Sequence, residues 1–170
     1  MFSELSPSDV ISIKSPDKSY LGPKDLPEGR HLIVEFEDVE AEDAAGAPTA
    51  EQVSAILGFV AKLPEDARLL IHGLQGVRRA PAVAIGILAT LLSPVEAAGA
   101  AVPCCRHPAD PNRLVLQRFD AALSLRGELV AACAARFVPG RATLRRREEG
   151  DGVPFAFDML AGSSNGKSAG

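Results

Sequence analysis

Short apolar runs alternate along this chain with stretches whose apolar residues recur at helical spacing. Residues 9–13 (DVISI) predict a short strand, and residues 31–36 (HLIVEF), apolar and β-branched, a buried one. Between them, residues 14–30 carry three Pro, two Gly and several Lys and Asp, and read as loop. An acidic stretch follows the second strand: Glu35, Glu37, Asp38, Glu40, Glu42 and Asp43.

The next element is a helix. Thr49 and Gln52 are spaced as a capping box, in which hydroxyl and amide satisfy each other's orphan backbone N–H groups. Val53, Ile56, Leu57 and Val60 then recur at i, i+3, i+4 and i+7, and Pro64 stops the run. Residues 67–72 (ARLLIH) predict another buried strand, and residues 73–79 a glycine-containing loop. Residues 80–92 (APAVAIGILATLL) have Thr90 as their single polar side chain, which predicts a helix buried all round. Pro81 suits its first turn, where the missing N–H costs nothing. Further helices are expected over 94–101, from Asp110-Pro111 with Leu116, Phe119 and Leu123 on one side, and over 128–137 before Pro139-Gly140. Residues 153–160 predict a strand or an extended arm. The Gly/Ser-rich residues 161–170 predict a disordered tail. Strand, helix, strand and a buried helix in this order predict an α/β domain with a mostly parallel sheet over 1–140, followed by an extension over 141–160.

Composition narrows the function classes. A chain of 170 residues with 46% hydrophobic and 24% charged residues suits one globular domain. A net charge of −4 argues against a general nucleic-acid binder. Residues 80–92 are too few to span a bilayer, so no membrane partner is expected. Residues 1–10 lack the basic and apolar regions of a signal peptide, and with 3 Cys a cytoplasmic protein is expected. The composition points to no oligomeric state.

The loop 73–79 is where chemistry is expected. A tight loop feeding a helix N-terminus aims backbone N–H groups and the helix dipole at one point, which suits an anion. Arg79 can add a planar clamp for phosphate oxygens, and Arg78 either raises the local positive potential or faces solvent. The spacing alone is equally that of an ordinary βα turn.

The run His72-Gly73-Leu74-Gln75-Gly76-Val77-Arg78-Arg79 resembles the phosphate loop H-C-x-x-G-x-x-R-[ST] of protein tyrosine and dual-specificity phosphatases, in particular their small bacterial members. Residues 81–92 resemble the buried helix after that loop. Asp110-Pro111-Asn112-Arg113-Leu114 resembles a P-N-x-x-[LIV] helix start in the same group. The similarity runs over roughly residues 5–137. It implies a small sheet with helices on both faces. It assigns phosphate binding to residues 73–79 and loop ordering to His72, which a satisfied core histidine explains equally well. Asp38 stands at the general-acid position, with Glu37 and Glu40 in reserve. The N-terminal part is shorter than in such relatives, which predicts an exposed sheet edge.

The resemblance breaks at the chemistry. Gly73 occupies the position of the nucleophilic Cys, and Ala80 that of the Ser or Thr after the Arg. Glycine forms no phosphocysteine, and no Ser, Thr, Cys or Asp lies between His72 and Arg79 to replace it. A pseudophosphatase is therefore expected, one that binds a phosphorylated protein or a phosphate-like anion without turnover. The alternative is a scaffold that ignores the loop and binds through the acidic stretch or the 141–160 arm.

Other groupings add no cofactor and no metal. Cys104, Cys105 and His107 are three donors where a closed zinc site needs four. Gly166-Lys167-Ser168 lacks the spacing and the following helix of a nucleotide loop. Arg145, Arg146 and Arg147 next to two Glu read as a solvated turn.

Overall fold

The computed structural model describes residues 6–20, 22–105, 108–138 and the strand 155–158. Four strands, β1 (Asp9–Lys14), β2 (His31–Glu35), β3 (Leu69–Gly73) and β4 (Phe155–Asp158), form one sheet in the order β2-β1-β3-β4. The first three are parallel, and β4 runs antiparallel along β3. The 153–160 segment thus contains a strand, and β2 is one edge of the sheet. The helices are α1 (Ala50–Ala61), α2 (Arg79–Leu88), α3 (Pro94–Ala101), α4 (Arg113–Ala122) and α5 (Glu128–Arg136), with a 3-10 turn Val102–Cys104 after α3.

The helix starts follow local chemistry. Thr49 and Gln52 form the expected capping box at α1, and Ser93 and Glu96 form another at α3. Asn112 caps α4 by accepting from the Val115 amide at 3.0 Å. The Asp120 carboxylate, from α4, accepts the Gly127 and Leu129 amides at the start of α5, at 2.7 and 2.8 Å. Helix α2 is fully buried from Ala80 to Ile87, as its composition predicts. It ends at Leu88 rather than at 92. The Thr90 hydroxyl turns back onto the Ile87 carbonyl at 2.7 Å, and Leu91 is 77% exposed.

Helices on both faces are expected, but among the described residues all five helices join the core on one face. The main core joins Ile11, Ile13, Val34 and Leu69 to buried residues of all five helices. On the opposite face the described residues form a small cluster of Val10, Leu70 and Leu26, with the 15–30 loop over it. Crossover handedness gives the reason. The chain steps from β1 outward to β2, then back across β1 to β3. Right-handed connections running in opposite directions lie on opposite faces. The returning connection holds α1, whereas the outgoing one is the Pro-rich loop.

Gly86 brings two helices together, because a Cβ there would overlap the Phe119 ring of α4. The expected tail over 161–170 lies outside the described residues, as do His107 and Arg145 to Arg147.

Candidate functional site

The carboxyl ends of the parallel strands meet the loops 15–20, 36–40 and 74–78 on one side of the sheet. Where neighbouring connections leave in opposite directions, as at β1 and β3, such a sheet opens a crevice for ligands. Strand β3 delivers His72 and Gly73 to this rim, and α2 begins at Arg79. Gly76 turns the loop with φ of +64°, a region that favours glycine. The Asp110 amide donates to the Val77 carbonyl at 2.9 Å and the Asn112 amide to the Arg78 carbonyl at 3.0 Å, so the segment before α4 pins the loop.

The two neighbouring arginines differ. Arg78 contacts Asp38 at 3.1 Å, Asp110 at 2.6 Å and Glu40 at 2.5 Å, and its side chain is 19% exposed. Burial alone lowers this guanidinium, but the carboxylates outweigh it and raise it above its ordinary value. Arg78 therefore neither faces solvent nor adds positive potential; it ties the acidic stretch to the loop. Arg79 makes no ion pair among the described residues. Its Nη1 donates to the Phe36 carbonyl at 2.7 Å and to Ser15 Oγ at 3.1 Å. Burial lowers it from its ordinary value, against the opposing charges of Asp38 and Glu37.

Asp38 lies beside the loop, where the resemblance puts an acid. It also accepts from Asn112 Nδ2 at 2.7 Å, so its oxygens are held by an amide and a guanidinium. Four residues of the acidic stretch, Glu35, Asp38, Glu40 and Glu42, have cationic partners although they stay largely exposed. Glu35 pairs with Lys14 at 2.9 Å, Glu40 also accepts the Arg113 amide at 3.1 Å, and Glu42 lies 3.7 Å from Arg118.

At Gly73 the absent side chain leaves usable space. A Cβ there would meet the Ile13 carbonyl oxygen at 3.4 Å, an ordinary contact. Two small cavities adjoin this point. One, of about 10 Å³, lies in the loop against Asp38, Gly76 and Arg79. The other, of about 40 Å³, lies toward the turn after β1, and both are lined by Gly73 and Arg79. A groove of about 870 Å³ between α4 and α5 is much larger, but of the loop residues only Arg78 lines it.

His72 belongs to a buried cluster that spacing did not reveal. Ser12 Oγ lies 2.7 Å from His72 Nε2, 2.8 Å from His31 Nε2 and 3.1 Å from the Tyr20 hydroxyl. Tyr20 donates to the Pro23 carbonyl at 2.6 Å. Ser12 has one proton to give, so at least one imidazole carries its proton on Nε2. Burial, with the charge of His31 adding to it, pushes the His72 pKa down to about 4. The imidazole is thus neutral, a bonded core histidine next to the loop. Ser12 is a polar residue between the apolar Ile11 and Ile13 of β1, and that was the available signal. Tyr20 sits in the loop and carried none.

No thiol stands in for the missing nucleophile. Cys105 and Cys133 are pushed up to about 12, chiefly by burial, and hold their protons. Among the described residues no group of three His, Cys, Asp or Glu is placed to hold a metal. No helix among them is long and apolar enough to cross a membrane.

The chain is an α/β protein with a small, mostly parallel sheet and a glycine-containing loop at the rim of its central strands. No family model, no curated protein and no solved structure matches it.

Proposed function

We propose that this chain is a phosphatase-like protein that binds phosphate-type anions, free or on a phosphorylated protein, at the loop His72–Arg79 without hydrolysing them. One observation carries the reading. Of two adjacent guanidiniums, Arg78 is neutralised by three carboxylates while Arg79, at the start of α2, pairs with none among the described residues. A half-buried cation without an ion-pair partner, beside a helix N-terminus, favours an anion. Gly73 supplies no nucleophile, and Ala80 no hydroxyl to assist a leaving group. The scaffold reading draws less support, because four of the six acidic residues it would use, Glu35, Asp38, Glu40 and Glu42, have cationic partners within the molecule.

Tungstate and orthophosphate binding, followed by thermal shift at fixed ionic strength, tests this. A ligand specific for the native state adds about 2.7 kcal/mol of stability at 100 times its Kd. The wild type is expected to show saturable stabilisation and Arg79→Ala none. Equal stabilisation of both proteins, or of neither, overturns the reading. Aryl phosphate hydrolysis by the wild type that survives Arg79→Ala overturns the non-hydrolytic part. Gly73→Cys is expected to fold and to gain weak activity at best.

A further inference from the structure

The loop cavity by itself is small. It holds about 10 Å³, roughly the space one water needs, and Asp38 forms part of its wall. The cavity on the other side of Gly73 differs in size and charge. It holds about 40 Å³ and is lined by Lys14, Ser15, Lys18, Ser19, Tyr20 and Arg79, among others, with no carboxylate in its wall. A tight turn builds this wall. The Lys18 amide donates to the Ser15 carbonyl at 3.1 Å, with Pro16 at the position where its fixed φ favours a turn. The Lys14 ammonium donates to the Lys18 carbonyl at 3.1 Å and pairs with Glu35. Lys18 is exposed and makes no ion pair among the described residues. With Lys14 paired to Glu35, Lys18 and Arg79 remain as two cations without an ion pair among the described residues around one small cavity, with the Ser15 and Ser19 hydroxyls beside them.

We infer that the anion site continues past Gly73 into this cavity, so that its ligand carries two phosphate-type groups, as in a diphosphate. This rests on the proposed anion binding at Arg79. One group sits against Arg79 and the start of α2, and the second against Lys18 and Ser19. Arg79 lies between them, held to Ser15 on the turn side and to Phe36 on the loop side. Gly73 permits the passage, because a side chain there would occupy the junction. Two cations beside one cavity whose wall carries no carboxylate favour a doubly anionic ligand over a single phosphate.

Titration calorimetry with inorganic pyrophosphate and orthophosphate tests this on four proteins: wild type, Lys18→Ala, Gly73→Val and Lys62→Ala. Lys62, the C-cap of α1, controls for general charge. Pyrophosphate is expected to bind the wild type and Lys62→Ala at least about tenfold more tightly than orthophosphate. Lys18→Ala and Gly73→Val are expected to lose most of that preference, with orthophosphate affinity in Lys18→Ala within about twofold of wild type. Orthophosphate binding without a pyrophosphate preference, or a preference that survives Lys18→Ala, overturns the second subsite and leaves the loop reading standing. Binding of neither anion overturns the loop reading and this inference with it.

Discussion

The two faces of the sheet are built from the same three parallel strands, yet they bury their residues by different means. On one face Ile11, Ile13, Leu69 and Ile71 pack against five helices in a continuous apolar core. Each such side chain contributes on the order of 1.5–3 kcal/mol by leaving water. On the other, Ser12 hydrogen-bonds to His31, His72 and Tyr20, and Tyr20 to His31, beneath an irregular loop, with Val10, Leu70 and Leu26 as the apolar part. The helical face is stabilised by area, which tolerates small errors. The loop face depends on matched donors and acceptors, each of which becomes a penalty when its partner is lost. The candidate anion site lies where these two regimes meet, at the ends of β1 and β3.

The largest effect expected from breaking this contrast is on the helical face. Phe119 is fully buried against Gly86, and Phe119→Ala is expected to cost about 3–5 kcal/mol in urea unfolding. A loss under about 1 kcal/mol would mean that the helices do not dominate stability.

The loop face is expected to respond to pH instead. His72 has a folded pKa of about 4 against an ordinary 6.5, so between these values the unfolded chain binds the extra proton. Its contribution is complete above pH 6.5 and is lost progressively as the pH falls. It reaches a loss of about 3 kcal/mol near pH 4 and grows no further below that. Urea midpoints between pH 7 and 4 are expected to fall more steeply for the wild type than for His72→Gln, and parallel curves would refute this. Ser12→Ala, which strips both imidazoles of a shared partner, is expected to cost about 1–3 kcal/mol with little change in buried area.

The arginine pair sharpens the contrast at the site itself. Arg78→Gln leaves three carboxylates without their cation and is expected to cost about 1–2 kcal/mol. Arg79→Gln is expected to unfold at nearly the wild-type urea concentration while losing anion binding. The reverse pattern would exchange their roles. The smallest effect is expected at α1, where Gln52→Ala removes half of the capping box and about 0.5–1 kcal/mol.

Most elements were legible because their signals are local. The capping box of α1, the all-apolar run of α2 and the β-branched strands each act within a few residues, and the structure places them within a few positions of expectation. The end of α2 was misjudged because Leu91 looks like core in sequence and is exposed in the fold. No local pattern in the acidic stretch names Arg78 as the partner of Asp38 and Glu40, which stand 40 and 38 positions away from it. Tyr20 gave no signal because its partners Ser12 and His31 stand 8 and 11 positions away on separate strands.

By itself the sequence determined the strand and helix order, the glycine-containing loop at the end of β3, and the absence of a nucleophile within it. These follow from residue type and short-range periodicity. Only the tertiary structure decided which face of the sheet is polar, and which arginine is neutralised. Arg78 meets carboxylates 32 to 40 positions away and Ser12 meets His72 at a separation of 60. Contacts at such distances are set by strand order and by the side on which each connection passes, and no local pattern encodes them.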